Sequence, residues 1–328
     1  MLRVVLYRLL QGLVVILIVS ALTFALLAAA GGDALGSLTS DPVVSEATLN
    51  ALRHTYGLDQ PFAVRYWRWL SGVLSGEMGY SLYYHTPVWS IIRTRLFNTL
   101  ALASLALLIA MTIALALGSL AARRPRGWAD KLSSAVVLFA SSSPRIVLAL
   151  IALALVARSP SFAMSNPGSA LSSISFIKIF IPAFILSVPL VAIFLAQVRD
   201  GLLLSLREEF VQVARAKGLS EREVVLRHAL RATLNPLITL FGLSLGSLIS
   251  GSVIVETVLG WSGLGQLSVV AVQARDVPLL MGVVLITATA VLVGNLVADI
   301  LLCLNDPRLR NAQKGSIPSS GAAATPLS

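Results

Sequence analysis

Six long apolar runs constrain the fold of this chain more strongly than any other feature of its sequence. Each has 20 or more residues, four contain no charged residue, and they cover residues 10–30, 98–122, 132–157, 179–198, 232–255 and 277–304. About 20 apolar residues cross the hydrocarbon layer as a helix, and backbone amides in lipid must find partners within their own segment. The pattern therefore predicts an all-α, polytopic membrane protein with six transmembrane helices.

The first run also has features of a secretory signal, because Arg3 and Arg8 precede it and three alanines, residues 28–30, close it. Its apolar stretch is 21 residues long, whereas the core of a signal sequence usually has about 7–15. We therefore favour a retained first helix, preceded by residues 1–9.

Lysine and arginine predict the orientation. Sixteen of them lie in the N-terminus, the loop 123–131, the segment 199–231 and the tail 305–328, whereas the short loops on the other side hold three. Segment 31–97 holds five, but loops of that length count little. We expect both termini in the cytoplasm and residues 31–97 outside.

The outer segment 31–97 mixes aromatic residues with balanced charge. Two interpretations stay open: short helices lying on the outer membrane surface, with Trp67 and Trp69 at the interface, or a packed loop. From Asn311 onward the tail consists mostly of small residues with Pro, Gly and Ser, a composition typical of disorder.

The composition argues against several other classes of protein. The 25 basic residues exceed the 15 acidic ones, but they lie mostly in short segments between apolar runs, which fits membrane topology better than nucleic-acid binding. The one cysteine, Cys303, excludes an intrachain disulfide, and the scattered His54, His85 and His228 do not suggest zinc. No G-x-x-x-x-G-K-[ST] phosphate loop occurs, so the chain does not bind ATP by that device.

Residues 199–231 form a charged island, since they hold 12 of the 40 charged side chains. We predict a first short helix from about Leu204 to Lys217, ended by Gly218, because glycine readily adopts the left-handed conformation that closes helices.

A second helix is predicted to start at once. Ser220 and Glu223 have the spacing of a capping box, and Leu219 and Val224 occupy the hydrophobic-staple positions. This helix should continue towards Pro236, where the fifth membrane span begins.

The island has two interpretations. An amphipathic helix could rest on the lipid surface, but anionic lipid would repel the five acids that stand among the seven bases. A partner protein with a groove for a short helix suits the mixed charge and the small Ala214 and Ala216. Burial of Phe210, Val211 and the alanines in such a groove would contribute about 4–6 kcal/mol. We therefore favour docking to a partner protein. Lys217 is expected roughly on the same side of the helix as Phe210.

The stretch "EEFVQVARAKGLSEREVVLRHALRATLNPLITLFG", residues 208–242, resembles the cytoplasmic signature loop of permease subunits in ATP-driven (ABC-type) bacterial importers. The resemblance is to the dipeptide/oligopeptide/nickel group, and to the first of its two permeases. Further similar stretches follow the family order: "YGLDQPFAVRYWRWLSGVLSGEMGYSL" (56–82), "GSLAARRPRGWADK" (118–131), "VETVLGWSGLGQL" (255–267), "ARDVPLLMG" (274–282), "NLVADILL" (295–302) and "DPRLR" (306–310).

The resemblance implies that the short helix of this loop couples the membrane subunit to a separate ATPase. Glu209, Ala214, Ala216 and Gly218 stand at the positions that mark the loop. The full set of expected coupling residues is Glu209, Phe210, Ala214, Ala216, Lys217, Gly218, Leu219, Ser220 and Glu223.

The resemblance also implies partners in a bacterial cytoplasmic membrane. They are a second homologous permease, two ATPase subunits that use ATP and Mg, and an extracytoplasmic substrate-binding protein. This chain is expected to bind no cofactor or metal and to carry no catalytic residue. Peptides are the leading substrate class, with nickel chelates, glutathione and sugars as alternatives.

Two ionisable residues are candidates for the translocation pathway, Arg145 and Glu256. Arg145 follows Pro144 midway along its run, at a position that is more often small or polar in the family. It could meet a carboxylate such as a peptide C-terminus, pair with Glu256 or Asp299, or extend to the membrane surface; these alternatives stay open.

The stretch "GWSGLGQL", residues 260–267, which follows Glu256, is either a re-entrant turn that acts as an outer gate or a plain loop. We expect Asp299 to bond neighbouring helices. Gly242, Gly246 and Gly251 are expected to form a small-residue face for close helix packing.

Two different function classes compete with a transport subunit. An intramembrane enzyme would need Asp299 or Glu256, but no paired carboxylates or His/Ser set meet at comparable depth. A channel gated by a cytoplasmic partner would show ATP-independent flux after reconstitution.

Overall fold

The computed structural model describes residues 2–29, 60–158 and 176–305, and these residues are almost entirely helical. An isolated β-bridge joins Tyr80 and Pro87. The predictions for residues 31–59 and for the tail from residue 306 lie outside the described residues.

The helices, in chain order, are α1 (Leu2–Ala29), α2 (Phe62–Leu74), α3 (Val88–Arg123), α4 (Trp128–Ser142), α5 (Arg145–Val156), α6 (Phe176–Ser205), α7 (Glu209–Ala216), α8 (Glu221–Glu223), α9 (Leu230–Gly251), α10 (Val253–Leu259), α11 (Leu264–Gln273) and α12 (Val277–Asn305). A π-helical segment, Val224–Ala229, joins α8 to α9 without a break.

Five continuous helices of the described chain are long and apolar enough to cross a membrane: α1, α3, α6, the run from α8 through α9, and α12. Two further pairs pass the same test together but are bent, α4–α5 by 94° and α10–α11 by 80°. Six spans result if α4–α5 is a broken span and α10–α11 a re-entrant pair. The prediction of an all-α, polytopic membrane protein is confirmed.

The third apolar run is not the straight helix that its composition suggested. It breaks after Ser142, and a new helix starts at Arg145. Pro144 has no backbone N–H to donate and disfavours the helical conformation at Ser143. The two halves therefore meet at the 94° corner.

Helices α3 and α6, the second and fourth membrane spans, are longer than the apolar runs that predicted them. Helix α3 starts at Val88, ten residues before the run, because Val88 and Ile92 pack in a core with α11 and α12. Helix α6 continues to Ser205. The main core lies between α3 and α6, where the small side chains of Ala106 and Ala110 allow close packing.

Glycines bring α9 and α12 close together. A Cβ on Gly242 would overlap the Ala298 side chain, and one on Gly246 would lie 3.0 Å from Val291. Helix α1 packs against a different face of α12, with Gly12 against Leu292. This small-residue packing is the arrangement expected of membrane helices.

The segment between α1 and α3 contains a helix rather than only a loop. Helix α2 packs against the end of α1 through edge-to-face contacts of Phe24 with Phe62 and Tyr66. Trp67 is 68% exposed, whereas the indole nitrogen of Trp69 is buried without a hydrogen-bond partner in the described structure.

A buried carboxylate, Asp276, ties the loop before α3 to the start of α12. It accepts hydrogen bonds from Ser81 Oγ (2.5 Å), from the backbone N–H of Tyr83 (3.1 Å) and from that of Leu279 (3.1 Å). The last bond caps the first turn of α12, so one side chain fixes both segments.

Candidate coupling site

The charged island folds as a corner between two membrane-spanning helices. Helix α6 ends at Ser205, a turn follows, and the short helix α7 begins at Glu209. We predicted this helix from about Leu204, which is wrong at its start because Leu204 and Ser205 still belong to α6. The turn is closed by backbone bonds, including Glu208 N–H to Ser205 O at 3.2 Å.

Gly218 ends α7 in the left-handed conformation, with φ +79°. Its N–H donates to the carbonyl of Arg215 (2.9 Å), and the next N–H, of Leu219, donates to that of Ala214 (3.4 Å). These bonds satisfy carbonyls at the helix end that would otherwise lack partners. No atom lies within 4 Å of the position that a Cβ would occupy on Gly218.

The capping box predicted at the next helix start is present. The backbone N–H of Glu223 donates to Ser220 Oγ at 3.3 Å, and that of Ser220 donates to Glu223 Oε2 at 3.3 Å. The helix that starts here runs from Glu221 to Gly251. The corner is therefore continuous with a membrane-spanning helix.

A small apolar cluster holds α7 against that helix. Val211 and Ala214 of α7 pack with Val224 of the following helix, and Leu206 of the turn covers them. Arg215 and Glu221 add a two-point ion pair across the bend, with N–O distances of 2.8 and 3.2 Å. Because both ends of the bend are held, α7 is fixed to the neighbouring helix.

This packing corrects the expected docking face. Val211 and Ala214, which we expected a partner to bury, are already inside the chain. Phe210 and Val213 are the exposed apolar side chains of α7, at 44% and 55%. The sequence reasoning missed Val213, although it stands three residues after Phe210 and so on the same face.

Most of the other expected coupling residues are also exposed to solvent. Glu209, Ala216, Lys217, Gly218, Ser220 and Glu223 are exposed, and Leu219 is 36% exposed. We call the face formed by Phe210, Val213 and the exposed Glu209, Ala216 and Lys217 the outer face of α7.

A second ion pair, which the sequence analysis missed, braces the same end of the helix bundle. Arg199 near the end of α6 contacts Asp130 in the first turn of α4 at 2.6 Å, with both side chains largely covered. Asp130 also accepts the backbone N–H of Arg126 at 2.9 Å. The loop between α3 and α4 is thus attached to the helix that leads into the corner.

Two family models together match most of the chain. Residues 114–311 match the inner membrane component of binding-protein-dependent transport systems, and residues 1–103 match the N-terminal region of the same membrane components. The chain belongs to this family. It is thus a multi-pass permease of the peptide/nickel group of ABC importers.

Curated relatives of the permease span nearly its whole length. A putative peptide permease protein of Brucella ovis is 33% identical, over 94% of this chain and 99% of the relative. The oligopeptide transport system permease protein AppB of Bacillus subtilis is 34% identical (92% and 97%). The nickel import system permease protein NikB of Staphylococcus aureus is 32% identical (93% and 91%).

Within the membrane region of the permease, Glu256 is fully buried. Its carboxylate accepts hydrogen bonds from Thr99 Oγ1 (2.9 Å), Ser252 Oγ (2.9 Å) and the backbone N–H of Gln266 (3.0 Å). A Cβ on Gly263 would overlap this carboxylate. Glu256 therefore holds the α10–α11 turn against α3, and its place on the translocation pathway stays a prediction.

Asp299 of the permease bonds a neighbouring helix, as expected, through an ion pair of 2.9 Å with Arg8 of α1. Arg145 pairs with neither Asp299 nor Glu256, since both carboxylates have other partners. Its guanidinium instead lies against Gly251, whose missing Cβ leaves the space that it occupies. Gly251 thus differs from Gly242 and Gly246, which accommodate α12.

Proposed function

We propose that this permease imports solutes by coupling to two separate ATPase subunits through the outer face of α7. A second, homologous permease would form the other half of the pathway, and an extracytoplasmic binding protein would deliver the solute. The observation that carries this proposal is the position of α7. Its exposed side chains stand on a capped, internally packed corner that continues into a membrane-spanning helix.

The energy available for docking is smaller than the sequence suggested. Phe210 and Val213 are about half covered already. At about 1.5–3 kcal/mol for a fully buried side chain, completing their burial contributes roughly 1.5–3 kcal/mol together. Because this apolar contribution is small, recognition of the ATPase should also depend on the charged Glu209 and Lys217 on the same face, which add specificity. A contact of this strength suits a joint at which the two subunits move relative to each other in every transport cycle.

The remaining parts of the proposal follow from the same arrangement. ATP and Mg belong to the partner subunits, and this chain carries no catalysis. The corner lies in the cytoplasm with both termini, as the distribution of lysine and arginine favours. Because peptide permeases and oligopeptide permeases stand among the relatives, we infer di- or oligopeptides as the cargo. Nickel chelates are the alternative that the relative NikB supports.

Cysteine crosslinking tests the docking step. In a chain with Cys303 replaced by serine, Val213→Cys should crosslink to the ATPase subunit of the purified complex. Val211→Cys is the matched control, because it lies on the same helix but faces Val224. Equal crosslinking at both positions, or none at residue 213, contradicts docking through the outer face.

Transport itself is tested with the subunits expressed together. Uptake of labelled peptide into proteoliposomes should require ATP, the ATPases and the binding protein. Flux without ATP would favour a partner-gated channel. ATP-dependent uptake of a nickel chelate, but not of peptide, would keep the coupling mechanism and change the cargo.

A further inference from the structure

Arg145 is a partly buried cation at the sharpest bend in the described membrane region. It is the first residue of α5, directly after the 94° corner with α4. About 13 residues separate it from the start of its apolar run at residue 132, which corresponds to roughly 20 Å of helix in a hydrocarbon layer of about 30 Å. The guanidinium lies against Gly251, which stands 19 residues, or roughly 28 Å of helix, into the run 232–255. The charge therefore lies in the half of the membrane region that is farther from the coupling corner.

The described part of the permease provides no partner that neutralises this charge. Among the residues that the structure describes, Arg145 makes no hydrogen bond and no ion pair. Two carboxylates of the membrane region could have paired with Arg145, but both have other partners. Asp299 pairs with Arg8, and Glu256 accepts three hydrogen bonds. Ionisable side chains within membrane-spanning segments usually face the bundle interior or a water-filled cavity, and they often mark solute pathways.

The local backbone makes the same position favourable for an anion. Arg145 stands at the N-terminus of α5, a 12-residue helix, and Pro144 provides no side-chain cap. The first helical backbone bonds there come from the N–H groups of Val147 and Leu148. The positive end of the helix dipole thus adds to the guanidinium charge instead of balancing it.

The position of Gly251 shows where the guanidinium points. A Cβ at residue 251 would overlap Arg145 Nη1, so the side chain lies along the junction of α9 and α10. This direction leads into the helix bundle, towards the helix that continues into the coupling corner.

We propose that Arg145 binds the carboxylate of the solute during its passage and thereby selects for cargo with a free acid group. The proposal rests on the proposed import function and extends it to a specificity-determining residue. A guanidinium can bind a carboxylate through two parallel hydrogen bonds. A single lysine ammonium reproduces the charge but not this two-point geometry.

The test compares one peptide as the free acid and as the C-terminal amide, at concentrations that saturate the binding protein with either. For Arg145→Gln, we expect uptake of the free acid to fall by about tenfold or more, and uptake of the amide to change by less than about twofold. Arg145→Lys should retain part of the free-acid uptake. Gly251→Ala, which displaces the guanidinium, should show the same pattern more weakly.

Equal losses for acid and amide would overturn the proposal, because they indicate a structural role or a carboxylate on the second permease. Losses that are equal for acid and amide and that change with the lipid composition of the vesicles would also overturn it, since the partner would then be a lipid headgroup. If the wild-type complex takes up neither peptide with ATP, the import function fails first. If the wild-type complex takes up both peptides and the Arg145 variant loses uptake of both equally, only the role of Arg145 is rejected and the import function stands.

Discussion

Substitution of Gly218 tests whether transport depends on the left-handed backbone at the coupling corner. Its φ of +79° is one that residues with a Cβ rarely adopt, at a cost of about 1–2 kcal/mol. Because a Cβ there would meet no atom within 4 Å, Gly218→Ala adds backbone strain without a clash. A cost of about 1–2 kcal/mol lowers the population of the correct corner by roughly 5–30-fold relative to its alternatives.

The series of substitutions has an expected order. Asparagine tolerates the left-handed region better than alanine, so Gly218→Asn should retain more activity than Gly218→Ala. Proline cannot reach a positive φ, and it removes the N–H that donates to the Arg215 carbonyl. Gly218→Pro should therefore abolish transport while membrane insertion stays intact.

Gly76 provides a matched control in the segment between α2 and α3. It has φ +89° and open space around its Cβ position, so alanine causes the same kind of strain away from the corner. The assay is ATP-driven uptake and stimulated ATPase activity of the assembled complex, normalised to the amount of permease in the membrane. Gly76→Ala should affect both far less than Gly218→Ala.

Two outcomes would refute this reasoning about Gly218. The first is normal uptake with a normally stimulated ATPase in Gly218→Pro, which would mean that the corner geometry does not transmit force. The second is an equal loss in Gly76→Ala and Gly218→Ala, which would indicate a general folding defect.

Two further predictions concern buried carboxylates. Glu256→Ala leaves the Thr99 hydroxyl and the Gln266 N–H without their acceptor, whereas the Ser252 hydroxyl can still donate to the Ile249 carbonyl. The melting temperature of the purified complex should fall, because each unpaired group costs about 1–3 kcal/mol of stability. Glu256→Gln should have a smaller effect, because its amide oxygen can still accept from Thr99 and Ser252; equal effects would contradict this hydrogen-bond assignment. Asp276→Ala should release the loop near Ser81 and increase its proteolysis in intact complexes, whereas unchanged cleavage would show that Asp276 does not hold it.

The parts of the site that the sequence predicted correctly depend on neighbouring residues. The capping box joins Ser220 to Glu223, and Gly218 ends the helix directly before it. Local rules of helix termination describe such short-range interactions well. The six apolar runs likewise predicted an all-α membrane protein, because each helix in lipid must satisfy its own backbone.

The parts that were wrong or missing depend on distant residues. The inward face of α7 is decided by Val224 in the next helix, so composition alone could not separate Val211 from Phe210. The partners of Arg199 and Asp276 stand 69 and 195 residues away. Pro144 stands in the middle of an apolar run, and the apolar residues on both sides of it predict one straight membrane span rather than a corner.

The contacts around α7 define which helices must move with it under the proposed function. Its buried face contacts the turn after α6, through Leu206, and the start of the run into α9, through Val224. Since the buried apolar cluster and the capping box hold α7 to both neighbours, a pull on α7 displaces both helix ends together. The close packing of Gly242 against α12 then carries the displacement from α9 across the bundle, so the movement should resemble a rotation of a helix group rather than the bending of one helix.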